Sequence, residues 1–372
     1  MASVENEFDR RLVLISFVLI YSAPCHPHHH YFNSTKGWAK KNIEPYIAKH
    51  WEAGTLPDHF ITNFQRDCPH LLGFSLPQEY GGQGYDTLTV HLIAHALASV
   101  DGSFTTALLV QYGLCADSIV LCGNEAQKRR FLPDLSRLTK IGCFCLTEPA
   151  SGSDASNLTT IAKETTRRIN GRLVKGYEIT GSKRWIGNGT TAEVFVVWAR
   201  NVSLPNHPVM GFIVERSQQQ QQSSSPQLTT TKIIGKASLR MTQNANVELR
   251  KAWCPMENVM SDHGKHSTLC TFDCRHFPPS IKYLILIISL SITLLLIYIK
   301  VGFGSSVGRV LEASRLSVAW VALGVTIGAV DATVPYVQER TAFGAPLASN
   351  QLIQGMYRSF VYYCCNSLGF ID

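Results

Sequence analysis

The sequence predicts an α+β protein in which a helical N-terminal domain leads into a central β-domain and then into further helices. Apolar residues recur at every fourth position within Thr87–Val100, which is the spacing of one helix face. Two runs rich in β-branched and aromatic residues, Glu193–Ala199 and Gly211–Val214, are bounded by turn residues and indicate strands. The stretch Ser314–Arg340 is small and apolar along one side, which predicts one long helix.

The composition indicates a globular protein of two or three domains. The chain has 372 residues, of which 45% are hydrophobic. Its net charge of +7 is spread along the chain, so it forms no basic stripe of the kind that binds nucleic acid, although it suits an anionic ligand. The eleven cysteines follow no disulfide spacing, which favours free thiols in a reducing compartment.

The segment Phe144–Asp154 combines an apolar run with hydroxyl groups and a glycine. Gly152 and Ser153 offer backbone N–H groups and a hydroxyl with little steric cover, which suits a pyrophosphate. The Thr147 hydroxyl can bind the polar edge of a planar ring. Further along, Trp185 supplies a flat apolar face for such a ring, although a tryptophan of the ordinary core is the alternative.

Together the segments 144–154 and 183–189 resemble the flavin-binding segments of the acyl-CoA dehydrogenase and acyl-CoA oxidase superfamily. The resemblance runs from about residue 36 to 262 and resumes from about 308 to 355. Three further motifs carry it, namely a P-x-E-Y-G-G-x-G loop within 73–84, a Q-K…L-P segment within 123–133 and an R-x-x-F-G…Q segment within 339–352.

The resemblance implies an FAD cofactor, an acyl-CoA substrate and a helical, β and truncated helical order of domains. It implies a homodimer or homotetramer, because the family residues that match Arg340 and Gln351 reach the FAD of a neighbouring subunit. Ser153 and Arg315 match residues that contact the substrate. No metal is implied, and the location is mitochondrial or peroxisomal. The implied FAD-binding residues are Phe144, Leu146, Thr147, Gly152, Ser153, Trp185, Ile186, Gly187, Arg340, Phe343 and Gln351.

No residue of the chain matches the catalytic base of that family. The family reaction removes the α-proton of an acyl-CoA with a glutamate while hydride leaves to the flavin, which gives the 2-enoyl-CoA. The chain lacks the Y-E-G motif in which most members carry that glutamate. A minority place it directly before the arginine that matches Arg315, but Ser314 stands there and Glu312 lies on another part of the helix surface. We therefore assign no catalytic residue and expect impaired activity.

Two differences from the dehydrogenases narrow the subfamily. Trp185-Ile186-Gly187 replaces the W-I-T of many members, so a hydroxyl that approaches the flavin is absent. This form is similar to short-chain acyl-CoA oxidases of the glutaryl-CoA dehydrogenase branch. The stretch Val100–Thr106 has no arginine to pair with a distal carboxylate, which disfavours a dicarboxylyl-CoA substrate.

Two segments do not fit the resemblance. Residues 1–35 form an atypical N-terminal segment that imitates a signal peptide and a histidine tract. Residues 263–306 form an insert whose stretch 283–299 carries no charge and approaches the length of a membrane span. We interpret the insert as retained intron or mis-assigned coding sequence, with a membrane anchor and a buried helix as the alternatives.

The expected domains are thus a helical domain at 36–140, a β-domain at 141–262 and a truncated helical domain at 307–372. The predicted function is FAD-dependent oxidation of an acyl-CoA, impaired in this chain. The alternative is a non-catalytic, membrane-anchored homologue that retains a surface for acyl-CoA or flavin.

Overall fold

The computed structural model describes residues 27–169, 171–220, 227–260 and 306–359. Most of the atypical N-terminal segment therefore lies outside the described residues, as does the insert from 263 to 305 with its uncharged stretch 283–299. The interpretation of the insert stays a prediction. Within the described ranges the α+β fold class is confirmed, since helices, a sheet and further helices follow one another along the chain.

Along the chain, helices come before and after the strands of the sheet, and one short helix lies between two strands. In the described ranges they are α1 Pro27–Asn42, α2 Ile47–Ala53, α3 Asp58–Asp67, α4 Thr87–Ala98, α5 Gly102–Leu109, α6 Asp117–Cys122, α7 Glu125–Ser136, α8 Arg216–Gln220, α9 Ser306–Glu339 and α10 at 351–359. A π-helical segment, Val110–Ala116, joins α5 to α6. The helix predicted from Thr87 is confirmed, and the one predicted from Ser314 begins eight residues earlier than expected.

Polar side chains cap the N-termini of three helices in the N-terminal domain. Asp86 accepts a hydrogen bond from a backbone N–H of α4 at 3.0 Å, and Asp101 does the same for α5 at 2.6 Å. Asn124 and Gln127 exchange side-chain and backbone hydrogen bonds at the start of α7, as in a capping box. These contacts satisfy backbone donors that a helix leaves unpaired at its first turn.

The central region forms one eight-stranded sheet. Its strands are β1 Gly142–Cys145, β2 Ile161–Ile169, β3 Arg172–Ile186, β4 Val194–Asn201, β5 Val209–Glu215, β6 Leu228–Lys232, β7 Ala245–Pro255 and β8 Val259–Met260. Their spatial order is β6-β7-β3-β2-β4-β5-β8, and β1 lies parallel to β4. A separate two-stranded hairpin, β9 Thr341–Ala342 with β10 Ala345–Pro346, follows α9.

Alternation along β1 and β4 divides the interior into two cores. Phe144, Val196 and Trp198 face a core shared with the N-terminal helices. Cys143 and Phe195 face a second core inside the β-domain. Because successive side chains of a strand point to opposite faces, both strands are buried on both sides. The loop that follows β1 is therefore anchored where the two cores meet.

The long helix α9 packs along α4 through small and apolar residues. Trp320, Leu323 and Ile327 form a cluster with Leu92 of α4. Gly328 lies so close to the end of α4 that an added Cβ would collide with the carbonyl of Ser99. The helix is thus held near the N-terminal domain by close backbone approach as well as by apolar burial.

Two helical stretches of the described residues are long and apolar enough to cross a membrane by length and composition alone. In Gly102–Cys122, 61% of the apolar window is buried, as in a core helix. In Val307–Glu339 only 22% of the window is buried. Side chains such as Val318, at 64% exposure, and Tyr336, at 59%, lie on the surface of α9. That helix consequently presents a broad apolar face to its surroundings.

Candidate functional site

The two segments predicted to bind a cofactor meet through a backbone hydrogen bond. The N–H of Arg184 in β3 donates to the carbonyl oxygen of Thr147, just beyond β1, at 2.8 Å. The loop then turns back tightly, because Glu148 exchanges two backbone hydrogen bonds with the residue three positions on. These contacts hold the loop 147–153 beside residues 185–187, and we call these two stretches together the binding wall.

A buried ion pair joins the two halves of the binding wall. Lys183 Nζ donates to Glu148 Oε1 at 2.8 Å and to the carbonyl of Leu146 at 3.0 Å. The side chains of Lys183 and Glu148 are 0% and 1% exposed. Glu148 Oε2 accepts from the backbone and the hydroxyl of Thr159, at 2.6 and 2.5 Å, and Oε1 accepts from Thr160 N at 3.0 Å. One carboxylate thus connects the loop, the approach to β2, and β3.

Burial and pairing act in opposite directions on these two charges. Burial raises the pKa of Glu148, but hydrogen bonds from Lys183, Thr159 and Thr160 outweigh it and bring that pKa to about 2. Burial lowers the pKa of Lys183, and the Glu148 carboxylate opposes this effect. Because Nζ donates to a carboxylate and to a carbonyl, we assign both groups as charged at neutral pH.

Trp185 is an exposed tryptophan, so the alternative of a core position is wrong. Its side chain is 51% exposed, and its backbone has φ of 62°, in the left-handed region. The Arg184 guanidinium lies 5.4 Å from the indole centre, within range of a cation–π contact. From the opposite side, Asn244 Nδ2 donates to the carbonyl of Trp185 at 3.1 Å. The indole therefore presents a free face on a fixed backbone.

The residue that holds Trp185 is itself fixed by a lysine. Lys236 Nζ donates to Asn244 Oδ1 at 2.6 Å and to the carbonyls of Leu239 and Thr242, at 2.7 and 2.6 Å. Burial lowers the pKa of Lys236 to about 8. The ammonium closes the loop between β6 and β7 on itself, and so it orients the Asn244 amide toward β3.

Ile186 and Gly187 are buried behind the indole. An added Cβ at Gly187 would lie 2.8 Å from Cγ2 of Val110, in the π-helical segment. The next residue, Asn188, donates to the carbonyls of Ala107 and Gly142 at 2.9 and 3.3 Å. A threonine at this position, as in the W-I-T form, would therefore require Val110 to move, because the helical domain packs directly against Gly187.

The exposed side of the binding wall offers unpaired polar groups. Gly152 and Ser153 are exposed, and an added Cβ at Gly152 would meet no atom within 4 Å. Among the described residues, none hydrogen-bonds to the hydroxyl of Thr147 or of Ser153. The hydroxyl of Ser151 donates to the carbonyl of Asp154 and closes the turn. Free amides and hydroxyls beside an exposed indole suit a phosphate and the edge of a planar ring, so these residues fit FAD.

Phe144 and Leu146, which were also predicted to bind FAD, are buried in the core. Their side chains are 9% and 5% exposed and belong to the core shared with the helices. The Leu146 carbonyl already accepts from Lys183. Their side chains therefore support the loop from inside.

The structure leaves the C-terminal part of the predicted set apart from the binding wall. Arg340, Phe343 and Gln351 are exposed, with Phe343 at the tip of the β9–β10 hairpin. In the described chain, no hydrogen bond or ion pair joins them to the wall. Arg315 is also exposed, on α9. We call residues 340–351 the C-terminal arm.

Sequence reasoning gave no role to Glu148, Lys183 or Asn244, although they are the residues that fix the wall. A signal was available for the first two, since opposite charges occupy two apolar segments that were expected to meet. No comparable signal marks Asn244. Its contact with the Trp185 carbonyl depends on the path of a loop.

Comparison with protein families accounts for all three regions of the chain. The N-terminal domain of acyl-CoA dehydrogenase matches residues 27–139, the middle domain matches 143–252, and the C-terminal domain matches 301–361. The matches therefore include the binding wall, α9 and the C-terminal arm.

Individual relatives agree with this result. The chain is 26% identical over 351 residues to the mitochondrial isovaleryl-CoA dehydrogenase of Oryza sativa subsp. japonica, covering 89% of this chain and 73% of that one. It is 30% identical over 287 residues to the short-chain-specific acyl-CoA dehydrogenase of Megasphaera elsdenii, covering 76% and 62%. Its fold is similar to that of the glutaryl-CoA dehydrogenase of Mycobacterium smegmatis in complex with FADH2, with a TM-score of 0.70 at 23% identity, covering 92% and 73%. The chain belongs to the acyl-CoA dehydrogenase family.

Proposed function

We propose that the protein oxidises the α,β-bond of an acyl-CoA thioester with FAD as its cofactor. The hydrogen bond between Thr147 and Arg184 carries the proposal, because it sets the exposed indole of Trp185 beside the turn at Gly152. Bound FAD would supply the hydride acceptor. Family membership and the FADH2 complex of the M. smegmatis relative support the assignment.

Each exposed group of the wall has a task in this proposal. The amides at Gly152 and Ser153 hold the pyrophosphate, and the Thr147 hydroxyl holds the polar edge of the ring. Trp185 lies against the ring and limits access of water. Ser153, together with Arg315 on α9, contacts the acyl-CoA. Arg340, Phe343 and Gln351 serve the FAD of a second copy, which agrees with their exposure here.

We propose that chemistry is impaired in this chain. Ser314 occupies the position before Arg315 where a minority of the family carries its base, and its hydroxyl donates to the carbonyl of Leu311 at 3.0 Å. A serine held in this way cannot act as a carboxylate base. Loss of a general base typically lowers a rate by roughly two to four orders of magnitude.

The test combines cofactor binding with turnover. Purified full-length chain is titrated with FAD by fluorescence quenching, and a short-chain acyl-CoA is then assayed with an artificial electron acceptor. We expect weak FAD binding that tightens as protein concentration rises, because the C-terminal arm acts on a second copy. We expect almost no turnover. Robust turnover that is lost on Glu312→Gln would identify Glu312 as the base.

A matched pair of variants ties binding to the wall. Trp185→Ala should weaken FAD binding, because it removes the face against which the ring lies. Leu173→Ala is the control, since Leu173 is 69% exposed on the same strand, at its other end. Equal FAD affinity in all three proteins would contradict the proposed site.

The location and the alternative function need separate experiments. The O. sativa relative is named as mitochondrial, and we propose the same compartment for this chain. The membrane-anchored, non-catalytic homologue depends on residues 283–299, outside the described ranges. Resistance of the protein to alkaline carbonate extraction, together with in-frame transcripts across 263–306, would favour that alternative.

A further inference from the structure

The Glu148–Lys183 pair has no part in the proposed chemistry, and yet it is the most completely buried ion pair of the described residues. Its side chains are 0% and 1% exposed, whereas those of Arg167 and Glu178, in another pair of the same sheet, are 18% and 29% exposed. Burying two charges removes them from water at a high cost, and apolar residues of similar volume often serve stability equally well. Stability alone is therefore a weak reason for this pair.

Glu148 belongs to the loop of the binding wall, and Lys183 lies two residues before the strand side of the wall. Lys183 binds the Leu146 carbonyl, and the next residue, Arg184, binds the carbonyl of Thr147. Trp185 then follows on the strand side, and Glu148 follows on the loop side. Thr147 is next to Glu148 in sequence, and Trp185 is two residues after Lys183. A shift of either charged side chain should therefore displace the neighbouring wall residue.

The sheet itself leaves this part of β3 without a regular partner. The pairing of β3 with β7 shifts register between Lys183 and Ile186, and Trp185 has no paired residue on β7. A bulge of this kind re-aims a side chain but releases it from the ladder. The buried pair supplies a restraint at the position where the ladder does not.

We infer that Glu148 and Lys183 are positioning residues, which hold the Thr147 carbonyl and the Trp185 backbone in the geometry that receives the flavin. The inference rests on the proposed function for the identity of the ligand. The geometry of the wall, however, can be measured without any ligand. A fixed scaffold of this kind lowers the cost of ordering a site when its ligand binds.

The test uses the double variant Glu148→Gln/Lys183→Met in the full-length chain. Removing both charges avoids an unpaired buried charge, so this protein should fold with an unfolding transition near that of the wild type. All six tryptophans are replaced by 5-fluorotryptophan, and fluorine NMR spectra of the protein are recorded. The Trp185 resonance is assigned by its loss in Trp185→Phe. We expect the double variant to shift or broaden the Trp185 resonance in the absence of FAD and to leave the other five unchanged.

FAD titration gives the second readout. The double variant should bind FAD about tenfold or more weakly, the scale on which lost supporting contacts weaken a preorganised site. Glu178→Gln is the control, because it removes a carboxylate from β3 away from the wall, and it should leave both readouts at the wild-type value. Restoring Glu148 and Lys183 in the double variant should return the Trp185 resonance and the FAD affinity to their wild-type values.

The outcomes separate this inference from the proposed function. An unchanged Trp185 resonance in the folded double variant overturns the positioning role, whatever the protein binds. A changed resonance with no FAD binding by the wild type supports the positioning role and contradicts the ligand. If the double variant fails to fold, Glu148→Asp takes its place, because it keeps both charges but shortens the side chain that joins the loop to Lys183, and the same resonance decides the question.

Discussion

The binding wall and the C-terminal arm were both predicted to carry cofactor residues, but they are stabilised in different ways. The wall is fixed by contacts between distant parts of the chain, with Glu148 and Lys183 buried between its halves. The arm is a short hairpin and a helix start in which no side chain is fully buried, with Phe343 at 104% exposure. A sequence match therefore identifies the chemistry of a residue but leaves open whether its geometry is completed within the same chain.

The largest expected effect concerns the wall. Lys183→Met leaves the Glu148 carboxylate buried without its cation, which should lower the free energy of unfolding by about 3–5 kcal/mol. Urea unfolding measures the change. The matched Glu178→Gln, in a partly exposed pair with Arg167, should cost less than about 1 kcal/mol. If both variants lower the free energy of unfolding equally, the buried pair of the wall is no more important for stability than a partly exposed pair.

Acid should loosen α9, which precedes the arm, before it loosens the wall. Burial lowers the pKa of His91 and of His95 to about 4, so the folded protein favours their neutral forms against α9. Their contribution, about 3 kcal/mol each at most, is complete above pH 6.5 and is lost as the pH falls toward 4. The lowered pKa of Glu148 keeps its contribution until the pH falls from 4.5 toward 2.

Hydrogen exchange at pH 7 and pH 5 checks this order. After correction for the intrinsic exchange rate, which itself falls between pH 7 and pH 5, the protection of the α9 amides should be lower at pH 5, while the protection of the β3 amides should change little. The His95 ring contacts Trp320 and lies near the charges of Lys36 and Asp331. His95→Phe is the control, because it keeps an aromatic ring against Trp320 but removes one titrating group, so the effect of acid on α9 should be smaller. A larger loss of protection in β3 than in α9 between pH 7 and pH 5 would reverse the comparison.

A smaller effect tests the contact of α9 with the N-terminal domain. Gly328→Ala places a Cβ against the carbonyl of Ser99 and should cost about 1–3 kcal/mol through displaced packing. Gly355→Ala is the matched control in α10, where an added Cβ meets no atom within 4 Å. That change should be neutral, or stabilising by up to about 1 kcal/mol, because alanine favours helix. Thermal unfolding of the two variants should therefore move in opposite directions.

The smallest expected effect belongs to the arm. Phe343→Ser removes a fully exposed ring and should change the free energy of unfolding of the monomer by less than about 0.5 kcal/mol. Sedimentation velocity over a range of concentrations is the informative measurement, because an arm that serves a second copy should lose association instead. A large loss of monomer stability would show that the arm packs within its own chain.

The sequence was a good guide to the elements and a poorer guide to exposure. The strands predicted at 193–199 and 211–214 appear at Val194–Asn201 and Val209–Glu215, since β-branched runs with turn residues are a local signal. Trp185 could not be placed in the same way. Two-residue alternation would put it on the face of Lys183, but the bulge and its left-handed backbone turn the indole outward.

The candidate site was predictable in part for the same reason. Gly152 and Ser153 are exposed and Thr147 is half-buried with a hydroxyl that no described residue binds, because a loop after a buried strand reaches the surface. The restraints on that loop come from residues 11–35 positions away, such as Thr159 and Lys183. Spacing along a chain does not reveal contacts of this kind.

The contact between Gly187 and Val110 has a consequence for the history of the family. These positions are 77 residues apart in sequence, yet an added Cβ at Gly187 would lie only 2.8 Å from a methyl group of Val110. A threonine at 187 therefore requires the Val110 side chain to move or to become smaller. The sizes of the residues at these two positions should therefore covary across the family.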